Sequence, residues 1–75
     1  MDHIRVQSSN IYSIAHCPDT QTLQVRFKDR NGEPTSLYEY TRVPAWVFTA
    51  LQNADSVGGY FAKFIKGKFE GYPVV

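Results

Sequence analysis

Seventy-five residues make a single domain, and a chain this short buries only roughly 60% of the surface its unfolded form exposes, so its core is thin. Apolar residues at 43% and charged residues at 20% are globular values that exclude disordered, collagen-like and membrane classes. Eight Lys and Arg against seven Asp and Glu leave a net charge of +1, so nothing pulls the whole molecule toward polyanions.

Residues 1–7 carry few apolar anchors and no clear period, and are expected as a loosely ordered lead-in. No apolar run approaches the ~20 residues of a bilayer span, and Met1-Asp2-His3-Ile4-Arg5 lacks the basic start and apolar stretch of a signal peptide. A cytoplasmic protein with no membrane partner is expected. From Asn10 to Cys17 the β-formers Ile11, Tyr12 and Ile14 lead to Pro18-Asp19-Thr20, a tight reversal in which proline presets the backbone and Asp and Thr bond nearby amides. Thr22 to Lys28 alternates cleanly. Leu23, Val25 and Phe27 face one way and Gln24, Arg26 and Lys28 the other, the mark of a half-buried strand.

Asp29 to Thr35 reads as a loop, with an Asn31-Gly32 pair that favours positive φ and a proline that ends ladder pairing. Ser36 to Val43 is expected as a third strand, with Tyr38, Tyr40 and Arg42 on one side and Leu37, Glu39, Thr41 and Val43 on the other. Pro44 suits the first turn of a helix. Val47, Ala50, Leu51 and Ala54 follow at helical spacing, with Trp46 and Phe48 widening the stripe. Asp55-Ser56 caps a second helix whose apolar stripe is Val57, Phe61, Phe64, Ile65 and Phe69, with Gly67 as its stop. The tail from Lys68 to Val75 is apolar enough to dock. The expected fold is α+β: a three-stranded antiparallel β-meander, then two short α-helices packed on one face of the sheet, with a C-terminal tail that could add a short edge strand.

Catalytic chemistry finds little support. His16 and Cys17 are neighbours on a strand and point to opposite faces, a poor geometry for a thiolate–imidazole pair. The single cysteine excludes an internal disulfide and a four-thiolate zinc site, and no phosphate loop, nucleophile elbow or metal-binding His pair is present. No enzyme activity and no cofactor are expected.

Binding chemistry has more to work with. Gly58 and Gly59 stand at a helix start, where backbone amides attract anions; the alternative is a crowded corner that excludes side chains. Tyr38 and Tyr40 could stack nucleobases. Equally, a pairing of Glu39 with Arg26 and Lys28 across the strands would turn both tyrosines inward under the helices, and packing is the favoured reading. Lys63, Lys66 and Lys68, interleaved with Phe64 and Phe69 and flanked by Tyr60 and Tyr72, form a basic-aromatic patch suited to RNA. They also suit the solvated face of a helix end.

Ser8-Ser9-Asn10-Ile11, Pro18 through Phe27, Tyr38-Glu39-Tyr40, Val43-Pro44, Ala54-Asp55-Ser56 and Gly59-Tyr60-Phe61 through Phe69, in that order and spacing, resemble the KTSC domain. That family is named for its occurrence at the C-terminus of some lysyl-tRNA synthetases and also occurs as small stand-alone proteins of bacteria and phages. The resemblance runs from about Ser8 to Tyr72, so residues 1–75 read as a single domain of this kind. A longer loop from Arg30 to Thr35, and Cys17 where an aspartate is expected, depart from the pattern. The resemblance carries no established activity; its synthetase context implies RNA. The expected function is therefore a non-catalytic module for RNA, a nucleotide or another phosphate-bearing ligand, using Lys63, Lys66, Lys68, Tyr60, Gly58, Gly59, Tyr38 and Tyr40. The alternative is a protein-interaction or homo-oligomerisation module.

Overall fold

Alternation from Ile11 to Lys28 produces two seven-residue strands, and their pairing builds the rest of the sheet. The computed structural model describes residues 1–74; Val75, the last residue of the expected tail, lies outside the described residues. Five strands, β1 (Ile4–Arg5), β2 (Ile11–Cys17), β3 (Thr22–Lys28), β4 (Pro34–Tyr40) and β5 (Gly71–Pro73), form one sheet in chain order, every pair antiparallel. The α+β class stands, but the expectation of three strands is corrected to five. The lead-in supplies β1 and the tail supplies β5, each too short to show alternation, and both are set by pairing to a longer neighbour rather than by their own pattern.

The third strand of the expected meander also moves. It opens at Pro34, opposite Lys28, because a strand's first residue has no ladder bond that proline would break. The loop before it is closed by Asp29, whose carboxylate accepts from the amides of Asn31 and Glu33 at 2.9 and 3.0 Å, while Gly32 takes φ +82. The strand stops at Tyr40 rather than Val43, since Arg42 turns the chain with a left-handed φ of 58°. Val43 is then fully buried and its amide bonds Gln21 O.

Cross-strand partners share a face, so Ile14, Val25 and Tyr38 form one inward row and His16, Leu23 and Tyr40 the next. Two helical segments cover this face. Helix α1 (Ala45–Gln52) begins just after Pro44 and buries Val47 and Leu51. The second starts at Ser56, whose hydroxyl accepts from Gly59 N at 3.0 Å, runs as α2 over Val57–Tyr60, and widens into a π-turn over Phe61–Ile65 closed by Lys66 N donating to Phe61 O. Phe61 and Ile65 enter the core with Val57. The wider turn rotates Phe64 away, and it is 48% exposed rather than part of the buried stripe. Trp46 is 69% exposed, so it does not widen the stripe of α1 either; a helix resting one face on a sheet leaves the residue beside Val47 in water. Among the described residues no helix is long and apolar enough to cross a membrane.

The sheet's other face carries a chain of hydrogen bonds that runs from His3, just before β1, across β2, β3, β4 and β5. Ser13 Oγ meets His3 Nδ1 at 2.8 Å, and His3 Nε2 donates to Gln24 Oε1 at 2.9 Å. Gln24 Nε2 donates to Glu39 Oε2 at 3.3 Å, and the Tyr72 hydroxyl donates to Glu39 Oε1 at 3.2 Å. Glu39 thus faces Gln24, its direct cross-strand partner, instead of Arg26 or Lys28. Arg26 donates to Thr35 O.

Candidate binding surface

Tyr38 and Tyr40 sit two residues apart on β4 and therefore point the same way, under the helices. Their rings lie 6.4 Å apart at 25°, and both join an aromatic cluster: Phe27 meets Tyr38 edge-on at 5.8 Å, and Phe61 meets Tyr40 edge-on at 5.5 Å. Tyr40 is buried and Tyr38 half-buried. Burial, with Tyr38 beside it, raises the Tyr40 phenol above its usual range. The two rings are not wholly consumed by packing. They form walls of a groove of about 350 Å³ that Lys66 borders.

On the far side of the same π-turn lies a second hollow of about 400 Å³, apolar apart from Lys68 and bounded by Trp46, Tyr60, Phe64 and Phe69. Tyr60 and Phe64 lie one helical turn apart, their rings 4.7 Å from centre to centre. The Lys63 ammonium rests 5.5 Å from the centre of the Phe64 ring, a cation–π contact at an exposed site. Lys68 and Phe69 also border a third hollow of about 630 Å³ with Arg42 and Glu70. The residues singled out in the sequence thus divide between two grooves: Tyr38, Tyr40 and Lys66 in one, Tyr60 and Lys68 in the other, with Lys63 at the rim of the second. Trp46 and Arg42 were not among them, and Phe64 was placed in the patch but not expected to be exposed on it. Trp46 was legible, since it stands off the Val47–Leu51 line of its helix. The exposure of Phe64 was not, because it follows from the π-turn.

The two glycines have local duties. The Gly59 amide is already engaged by Ser56 Oγ. A β-carbon on Gly58 would lie 2.7 Å from Asn10 Oδ1 and 3.1 Å from Ser8 Oγ, so this glycine lets α2 press against the Ser8–Asn10 turn. His16 faces inward, donating from Nε2 to Val43 O at 2.7 Å and stacking on Phe48 at 5.3 Å. Cys17 faces the other way, and hydrogen bonding from Thr20 draws its thiol below the ordinary range. Among the described residues no group of three or more His, Cys, Asp or Glu could hold a metal ion.

Comparison with known proteins places relatives beside this geometry. The family model described as the KTSC domain matches residues 7–69. A lysine–tRNA ligase from a Nostoc species is 42% identical over 67 residues, which cover 89% of this chain and 11% of the ligase. The ligase of Nostoc punctiforme is 40% identical over a stretch of the same extent. The chain therefore spans about a tenth of the length of these curated relatives. An uncharacterized protein of Stutzerimonas stutzeri is 35% identical over 96% of this chain and 94% of its own length. The crystal structure of a KTSC domain protein from Yersinia pestis superposes with a TM-score of 0.89 at 31% identity, covering 99% of this chain and 97% of that one.

Proposed function

The chain belongs to the KTSC domain family, and from that premise we propose that it is a non-catalytic module that binds single-stranded RNA. The observation that carries this reading is the exposed aromatic shelf of Trp46 and Phe64, with Tyr60 beneath and Lys63 and Lys68 beside it. Bases stack on such rings for ~1–3 kcal/mol each, independent of sequence, while the ammonium groups of Lys63, Lys66 and Lys68 neutralise phosphates. Proteins named lysine–tRNA ligases contain a related segment, which supports RNA as the ligand. The module works by contact alone and needs no nucleophile or acid–base pair.

Trp46 is the sole tryptophan, so its fluorescence reads the shelf directly. Titration with a short single-stranded RNA is expected to quench it. Three neutralised phosphates give a log–log salt slope of roughly −2, and K63A/K68A lowers its magnitude by about 1.4. An unchanged emission at low ionic strength would refute the proposal.

The same exposed apolar pair favours a second reading, self-association that covers the shelf. Sedimentation at high micromolar concentration decides it: a dimer that W46A dissociates supports this reading, and a monomer removes it.

A further inference from the structure

We propose that the groove beside Tyr38 and Tyr40 holds one nucleoside monophosphate unit, free or as the terminal nucleotide of a strand. Its base would lie against the partly buried rings of Phe27 and Tyr38, and its phosphate against Lys66. This deepens the RNA reading and rests on it for the choice of a nucleotide over other planar anions.

Size comes first. At about 350 Å³ the groove stands at the lower end of small-molecule sites, typically ~300–1,000 Å³, so it suits a mononucleotide and excludes a duplex. Its walls are aromatic edges and faces, which match a flat ring.

Burial and the neighbouring Tyr38 act on the Tyr40 phenol without any hydrogen bond, and no buried side-chain polar atom is left without a partner among the described residues. The Tyr40 hydroxyl lines the groove without a side-chain partner, where it can donate or accept. Asn10 Oδ1 is occupied, accepting from Ser8 Oγ at 3.0 Å, which leaves the Asn10 amide nitrogen free to donate. Lys66 adds a cation, and no carboxylate lines the cavity. Hydroxyls that donate or accept, a free amide N–H and one positive charge, set beside aromatic walls, favour a planar anion over a cation.

The rim is also held in place. Gly58 brings α2 within reach of Asn10 and Ser8, and Ser8 Oγ in turn accepts from the amides of Asn10 and Ile11 at 3.3 and 3.2 Å. These bonds favour one orientation of the Asn10 side chain, although its tip can still swing, which reduces the ordering that binding must supply.

Amide chemical-shift titrations of the full chain with adenosine monophosphate, adenosine and a short single-stranded RNA test this. The monophosphate is expected to move Asn10, Ser36, Tyr38, Ala62 and Lys66. K66A should weaken it about tenfold, the equivalent of one charge-assisted hydrogen bond, while leaving adenosine unchanged. Y40F keeps the ring and removes the open hydroxyl, and should weaken both ligands. Shifts confined to Trp46, Phe64 and Lys68 overturn the groove and leave the RNA reading standing. Groove shifts with the mononucleotide and none with RNA support the groove and overturn that reading. Silence from every ligand overturns both, and equal losses of monophosphate and adenosine in K66A overturn the phosphate assignment.

Discussion

A β-carbon at Gly71 would run into Cε2 and Cδ2 of Tyr40, its cross-strand partner. The bare backbone of β5 lies flat on that ring, which covers the sheet position a side chain would otherwise fill. Gly71→Ala forces either the ring or the edge strand aside, and is expected to lower the free energy of unfolding in urea by ~1–3 kcal/mol. Gly58→Ala makes the informative contrast. Its obstacles are the tips of Asn10 and Ser8, which can swing away, and alanine recovers up to ~1 kcal/mol of helix propensity. Stability should therefore change little in that variant, while the amide signals of Ser8 and Asn10 move. The two glycines look alike in a sequence and differ in what stands opposite.

Within the second helical segment, winding decides which aromatic ring is buried. Phe61 is 4% exposed and Phe64 48% exposed, although both lie on the stripe expected of a regular helix. Phe61→Ala is expected to cost ~3–5 kcal/mol. Phe64→Ser should stay within about 0.5 kcal/mol, as surface changes do. Urea midpoints of the two variants check the pair, and comparable losses would mean that the π-turn is absent in solution. Elements with a long pattern were legible in advance: Leu23 and Val25 are fully buried and Phe27 packs against the core, as alternation requires. The Ser56 cap and the stop at Gly67, with φ +78, were equally plain. A strand of two residues has no period to read, and a π-turn leaves no local signature, so β1 and the outward turn of Phe64 needed the assembled chain, whereas the expected edge strand from the tail appears as β5. The division of the lysines between two grooves follows from that turn and was hidden for the same reason.

Taken whole, the molecule is a thin sheet with an apolar side under helices and a polar side laced by hydrogen bonds. Tyr40 and Tyr72 belong to opposite sides, yet both phenols are raised above the ordinary value near 10, Tyr40 chiefly by burial and Tyr72 chiefly by the Glu39 carboxylate. Folding therefore favours their protonated forms. The stability this lends is complete below about pH 10 and is lost as pH climbs through the raised folded values. Urea midpoints are expected to hold steady from about pH 8 and fall beyond about pH 10, and Tyr72→Phe should flatten part of that decline. A midpoint unmoved by alkali would show that neither phenol is coupled to folding. The polar side has a mechanical consequence. His3 and Tyr72, near the two ends of the chain, anchor a single thread that passes through Gln24 and Glu39. Replacing His3 would hand the Gln24 oxygen to water and free that side chain to swing from Glu39, so a change at one margin of the sheet is felt two strands away.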